Sequence, residues 1–581
     1  MVYPLFPNKQ TFILFLWPLR RIWLIGGFIF FEVGEPSMRY DLVLQNGKLI
    51  DGTAAPWRRA HIGIRDGRIA AISSQDLSAN ADATLDIGGR FITPGFVNIH
   101  SHLDFAILGM PTMDSAVLQG ITTELGGQCG QSIAPTDVAD ASKIKEFYRN
   151  HWHGFALHWD WTTLGDFLDR LESEGVSLNF GMQVGHQTLR LIAMGFECRP
   201  ATAAELERIQ ELLRTALRDG AFGMSCGIQW APSFFCTTQE LIELSKVVAE
   251  SNGFVSFHMR SEGDMLLEAV AEVIEVGDRA KVPVQISHLK AAGKRNFGKV
   301  QQALAEIAAA RARGIDVLAD TQPYGCLDRQ YAAENMWMRS AIPPWFIAES
   351  GGFKHFQERL ADRAFRTRIK EDVLQKKSAN WHTHIVDCML DDVGWDGLVL
   401  GSTDVAGFEP YVGLSVEEIA RRRNADPFDT YFDLLARERV AGSGVYFMMA
   451  PDDVRTVIKS EYAMPQVDAA PRHTHPRRYG AFAHYLQHYA KGAPDLSLEE
   501  AVRKLTSMPA GRMGLSDRGV ARVGAWADLC VLNMDALEDR ADFDHISVSP
   551  SGIDYVLVNG TIVVKDGRHT GARPGKVLRS N

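Results

Sequence analysis

The chain has 581 residues, with 61 Lys+Arg against 71 Asp+Glu, 46% hydrophobic and 23% charged. This balance excludes disordered, collagen-like and coiled-coil chains, and a net charge of −10 without a long basic run argues against a nucleic-acid partner. Seven cysteines without regular spacing do not make a disulfide framework, so a reducing, cytoplasmic setting is expected.

Residues 1–38 stand apart. TFILFLWPL (11–19) and IWLIGGFIFFEV (22–33) each fall short of the roughly 20 apolar residues that cross a bilayer, and Arg20 and Arg21 separate them. The segment reads as an extension upstream of Met38. The alternative is an export or membrane-associating segment, and a membrane partner is expected only on that alternative.

From residue 40, YDLVLQNGKLI alternates around Asn46-Gly47, and HIGIRDGRIAAIS (61–73) alternates around Asp66-Gly67; both read as hairpins. GAWADLCVLNM (524–534) and DYVLVNGTIVVKDG (554–567) repeat the grammar near the other end. The two ends therefore predict one small β domain, 39–95 with 517–581. Between them helix–Gly–strand units recur, as in SKVVAESNGFVSFHMRSEGD (245–264) and AVAEVIEVGDRAKVPVQISHLKAAG (269–293). They predict a parallel α/β fold, first a (β/α)8 barrel over 96–516 and second an open doubly wound sheet. A G-x-G-x-x-G fingerprint after the first strand is absent, which disfavours a nicotinamide enzyme.

His100 and His102 stand as IHSH at the end of an apolar run, where a spacing of two puts both rings on one face of a strand. His258 and His288, 288 − 258 = 30 residues apart, each end another such run, about one strand–helix unit apart. Four histidines at strand ends suit zinc. Cys129, surrounded by glycines 126, 127 and 130, offers a soft thiolate. Asp468, Asp320 and Asp404 are candidate proton carriers, and Asp468 leads because it follows AMPQV as a last barrel strand would. HWHGFALHWDW (151–161), with His151, His153 and His158, reads as packing under a lid rather than a second metal centre, since Trp and Phe interleave and no strand precedes it.

GRFITPGFVNIHSHLDF, GITTELGGQCG, FHMRSEGD, VPVQISHLKAAGKRNFGK and HPRRYGAFAHYL, in that order, resemble the D-aminoacylase (N-acyl-D-amino-acid deacylase) family of the amidohydrolase superfamily, from about residue 39 to 581. The resemblance implies a TIM-like barrel with a small β-sandwich domain from both chain ends and an insertion at about 325–445. It implies zinc-dependent hydrolysis of the N-acyl bond of a small carboxylated amide. Cys129, His258 and His288 would form the tight zinc site, with a second, weak site at His100 and His102 left open, and Asp468 would be the catalytic aspartate. Departures stand at Gln466-Val467-Asp468-Ala469, which lacks the family's glycines, and at Gln322 and Trp230, where tyrosines are expected. Chemistry therefore transfers better than substrate identity.

Arg477 and Lys290, beside the predicted ligands, are the cationic candidates for the substrate carboxylate, Arg477 ahead because arginine can grip it with two parallel hydrogen bonds. Tyr324 is expected at the substrate, and His186 either lines the pocket or makes a structural hydrogen bond. Two other readings remain: a cyclic-amide or carbamate hydrolase of the same superfamily, and a non-catalytic scaffold.

Overall fold

Strands that carry helices on their outer side must bury nearly every residue. The middle of the chain does so in eight short strands: Phe96–Asn98, Ile121–Gly126, Asn179–Met182 continued by Val184–Gly185, Gly223–Gly227, Phe254–His258, Val284–Ile286, Val317–Thr321 and Ala463–Pro465. This is a computed structural model. It describes residues 19–25, 28–33 and 39–580 apart from 137–141, 153, 156, 325–331, 440–441, 472–473 and 492–494.

Neighbouring strands of the eight pair in parallel. The third joins two sheets, pairing with the second through Asn179–Met182 and with the fourth through Val184–Gly185. Beyond strand eight the chain returns to strand one: Asp468 N donates to His100 O at 3.1 Å, and His102 N to Ala469 O at 2.8 Å. The architecture is that of a TIM-like barrel.

Helices Ala203–Arg218, Thr238–Ala249, Leu266–Ala280 and Lys299–Ala312 alternate with strands four to seven. The first shows why: Ile209, Leu213, Ala216 and Leu217 recur at helical spacing and are buried, and Thr202 with Glu205 closes the N-terminus as a capping box.

The two chain ends meet in a second sheet. Its order is Arg568–His569, Thr561–Lys565, Ile553–Val558, Leu529–Leu532, Phe91–Pro94, Tyr40–Leu49, Arg58–Arg65, Arg68–Ser73, with Ala81–Asp86 also on Tyr40–Leu49. Leu529–Leu532 lies antiparallel to Phe91–Pro94 and joins the halves. Asp66-Gly67 and Asn559-Gly560 are two-residue hairpin loops with positive φ. The hairpin expected at Asn46-Gly47 is not one. Tyr40–Leu49 is a single strand whose register shifts between Leu44 and Gly47, so the dipeptide makes a bulge. Asn46 takes φ +58° there, and a Cβ on Gly47 would overlap Ile92.

Between strands seven and eight, Ala332–Trp337, Ser443–Met449 and Leu398–Leu400 form their own antiparallel sheet, with helices Arg363–Gln375 and Pro427–Arg437 among the intervening elements. The expected start of this insertion, at 325, lies outside the described residues. So does most of 1–38, of which Leu19–Ile25 and Phe28–Val33 pair antiparallel with each other. Among the described residues no helix is long and apolar enough to cross a membrane.

Candidate metal centre and active site

Parallel strands of a barrel end on the same face, so side chains far apart in sequence converge there. His258 ends strand five, and His288, His100, His102, Cys129 and Asp468 each follow the last residue of a strand by two to four positions. Cys129 Sγ lies 3.3 Å from His100 Nε2 and 3.4 Å from His288 Nε2, and His258 Nδ1 lies 2.8 Å from His288 Nε2. Two groups result, each with its ligand atoms within 4.8 Å: Cys129, His258 and His288, and His100, His102 and Cys129. Asp468 Oδ1 is 3.3 Å from His102 Nε2 and 3.7 Å from His100 Nε2. None of the six residues is more than 6% exposed.

Three of them sit in the left-handed region: Cys129 at φ +51°, His288 at +36° and Asp468 at +46°. Such backbone costs on the order of 1–3 kcal/mol per residue, and it collects where geometry serves function. The glycines missing beside Asp468 are not required, because the aspartate itself, which tolerates this region, makes the turn.

Charge tests whether a metal fits. Asp468, Asp320, Glu262 and Glu334 are all buried around the cluster, against two buried cations, Lys290 and Arg477. Four carboxylates for two cations leave a buried deficit of positive charge. Burial, with the charges of Asp468 and Glu262, pushes the Cys129 thiol well up, and burial pushes His258 and His288 well below the usual imidazole value. The imidazoles are thus in the neutral, ligating form, while the thiol becomes a thiolate only beside a bound cation. Histidine nitrogens with a thiolate suit zinc.

Neighbours orient this set. Asp320 Oδ1 accepts the His288 backbone N–H at 2.8 Å and lies 3.4 Å from His100 Nδ1. Burial would lower the His100 pKa, but Asp320 and then Asp468 outweigh it and raise it. Glu262 Oε1 is 2.7 Å from His288 Nδ1 and 2.6 Å from Lys290 Nζ, and Gln229 Oε1 is 2.8 Å from His258 Nε2. Such partners fix ring orientation.

The cluster opens into a cavity of about 1050 Å³ whose wall includes His102, Cys129, His258, His288, Lys290 and Asp468. Three expected pocket residues do not line it. Arg477 has no exposed surface; it donates Nη2 to Asp468 at 2.7 Å and Nη1 to Glu334 and Gln322, so it grips the aspartate rather than a substrate carboxylate. Tyr324 is buried with its hydroxyl on Asp539 at 2.7 Å and its ring stacked on His484. His186 is buried with Nε2 3.1 Å from Glu240 Oε1, the structural alternative. Nearness in sequence to a strand end does not say whether a side chain turns into the mouth or into the wall. Burial opposes the low Asp468 pKa, and Arg477 followed by His102 holds it well below the carboxylate range. Asp404 is elsewhere, accepting the Arg439 N–H.

Glu262 and Gln229 were not expected as ligand partners, nor Glu334 as the anchor of Arg477. Gln229 and Glu262 have proximity to a predicted strand end as their only sequence signal, and Glu334, within Ala332–Trp337 of the insertion, has none. His151, set aside as packing, lines the cavity; His153 lies outside the described residues.

A model of the amidohydrolase family matches residues 83–370 and 415–564. The N-acyl-D-glutamate deacylase of Alcaligenes xylosoxydans xylosoxydans is 34% identical over 93% of this chain and 97% of its own length, and the D-aminoacylase of the same organism is 32% identical over 93% and 98%. The crystal structure of the N-acyl-D-glutamate deacylase from Bordetella bronchiseptica, complexed with zinc and a phosphonate inhibitor that mimics the tetrahedral intermediate, superposes with a TM-score of 0.75 at 29% identity, over 93% of this chain and all of that one. Fold, strand-end ligand cluster and relatedness over nearly the whole length agree that the chain belongs to the amidohydrolase family, with the D-aminoacylases.

Proposed function

We propose that the protein hydrolyses the N-acyl bond of N-acyl-D-amino acids. The observation that carries this reading is the Cys129 sulfur set between His100 and His288 with Asp468 beside them. Cys129, His258 and His288 would hold zinc tightly, with His100 and His102 as a weaker second site. Bound there, zinc supplies a Lewis acid for the scissile carbonyl and lowers the pKa of water.

The chain's own residues do the rest. Asp468, kept anionic by Arg477, takes the proton from the attacking water and returns it to the leaving nitrogen, so one water is consumed and a carboxylate and an amine are released. Help of this kind is worth about 10²–10⁴ in rate. Lys290 faces the cavity while held by Glu262, and half-buried Arg339 lies on the cavity wall with its guanidinium 5.0 Å from the Phe353 ring centre. These two cations take over the carboxylate contact expected of Arg477. The six free cysteines among the described residues support a reducing, cytoplasmic location.

A zinc-reconstituted panel of N-acetyl-D-amino acids, their L forms and hydantoins tests the reading. Turnover of linear D substrates alone is expected. Turnover confined to hydantoins would move the protein to the cyclic-amide hydrolases, and zinc-loaded protein inert on every substrate would sink the hydrolytic assignment.

A further inference from the structure

Buried polar groups nearly always have a partner, and an exception calls for an explanation. His151 is such an exception. It is 3% exposed, it lines the cavity that holds the ligand cluster, and among the described residues neither Nδ1 nor Nε2 has a hydrogen-bond partner. Aromatic rings surround it, Tyr148 among them at 6.1 Å. It stacks on Phe105 with centroids 4.7 Å apart, meets Trp337 edge-on at 5.1 Å, and lies 6.0 Å from His102. The nearby Tyr148 hydroxyl is engaged elsewhere, on Thr188 Oγ1 at 2.8 Å.

His186 differs: both imidazoles are buried, but His186 has Nε2 on Glu240, leaves only Nδ1 unpartnered and stays out of the cavity. The ligand groups formed by Cys129 with the other histidines do not include His151. An imidazole locked by aromatic rings beside a catalytic cluster, with its polar atoms unused, is preorganised for something that arrives in the cavity.

We propose that His151 is a further catalytic residue, donating a hydrogen bond to the scissile carbonyl oxygen of the bound amide and keeping it as that oxygen gains negative charge. The inference rests on the amide-hydrolase reading above. No bond to His151 forms or breaks; the proton on its ring stays there while the carbonyl becomes tetrahedral and collapses.

His151→Phe and His151→Gln test it on the zinc-loaded full chain. The readouts are zinc content, kcat, KM and calorimetric affinity for an N-phosphonyl-D-amino acid, whose tetrahedral phosphorus replaces the acyl carbon. Phenylalanine keeps the stacking on Phe105 and removes the donor. It should lower kcat by about 10²–10³, the usual cost of one such donor, weaken the phosphonate by a comparable factor and leave zinc and KM nearly unchanged. Glutamine restores an N–H and should recover at least roughly tenfold of either loss. Wild-type kcat and phosphonate affinity in His151→Phe, glutamine no better than phenylalanine, or loss of zinc on substitution would each overturn the assignment. Wild-type protein that holds zinc yet ignores the phosphonate overturns the amide-hydrolase reading itself, and does so before any variant is made.

Discussion

Among the described residues, a Cys–His group at the strand ends and a second one in the barrel wall meet the same distance criterion for metal binding. Cys129, His258 and His288 form one; His186, Cys236 and Glu240 form the other. Each has a thiol and at least one imidazole, but only the first lines the large cavity. They differ in the charges that surround them. The first faces more buried carboxylate than buried cation. In the second, Glu240 is paired with Arg190, and Arg260 Nη2 lies 3.4 Å from Cys236 Sγ. Arg260 is also bound by Glu272, so two guanidiniums match two buried carboxylates and no negative charge is left for an ion to offset. Ligand atoms in the right places are therefore not enough; a site also needs uncompensated negative charge and an entry path.

The sharpest way to break the comparison is to remove one thiol at a time. Cys129→Ala should abolish tight zinc binding and lower kcat/KM by well over the roughly 10–100-fold typical of losing an outer partner of a metal site. Cys236→Ala should leave both unchanged. Elemental analysis and steady-state kinetics on the two variants read this out, and equal zinc loss from both would erase the distinction.

Within the first cluster, Asp468→Asn should keep fold and zinc while lowering kcat by about 10²–10⁴. Activity close to wild type would take the proton-carrying role from Asp468.

Breaking the second cluster should harm stability, not turnover. Glu240→Gln leaves Arg190 buried without its counter-charge, a change that costs about 3–5 kcal/mol, while turnover per folded molecule stays at the wild-type value. Chemical denaturation followed by kinetics at saturating zinc separates the two effects.

The smallest effect is in acid. Burial alone would raise the Glu240 pKa, but His186 and Arg190 outweigh it and hold it at about 2. The folded value lies below the unfolded one of about 4.3, so this stabilisation is full above about pH 4.3 and is lost as pH falls toward the folded value. Glu240→Gln should therefore flatten the acid limb of a stability–pH curve between about pH 4.3 and 2, measured by fluorescence.

Strand-end placement carried the sequence reading where it succeeded in bringing residues together. A short apolar run stands just before each of His100, His102, Cys129, His258, His288 and Asp468, and parallel strands bring such ends to one face. A strand-like run before His186, the predicted ligands beside Arg477 and the family resemblance around Tyr324 put all three near the mouth, and none of these signals gives a side chain's direction. All three turn into the wall, where they meet Asp468, Asp539 and Glu240. His151 was missed for the opposite reason: no strand precedes it, and it reaches the cavity from the short helix Arg149–Trp152.

The dipeptide Asn-Gly shows the same division on a smaller scale. At 559–560 it closes a hairpin; at 46–47 it bulges a continuous strand. Both asparagines adopt positive φ, so the local preference is met in each case. What differs is the company: Tyr40–Leu49 is flanked by Ala81–Asp86, Phe91–Pro94 and Arg58–Arg65, which hold it extended.

From the amino-acid order alone came the repeating strand–helix pattern, the residue types suited to a divalent metal and the Asn-Gly and Asp-Gly positions at which the backbone takes positive φ, because these depend on neighbours a few residues away. Tertiary structure alone decided that His151 keeps both ring nitrogens unused, which arginine steadies the proton carrier and which Cys–His group lacks compensating charge. Those outcomes depend on side-chain direction and on charges brought together from hundreds of residues apart, and local periodicity holds no record of either.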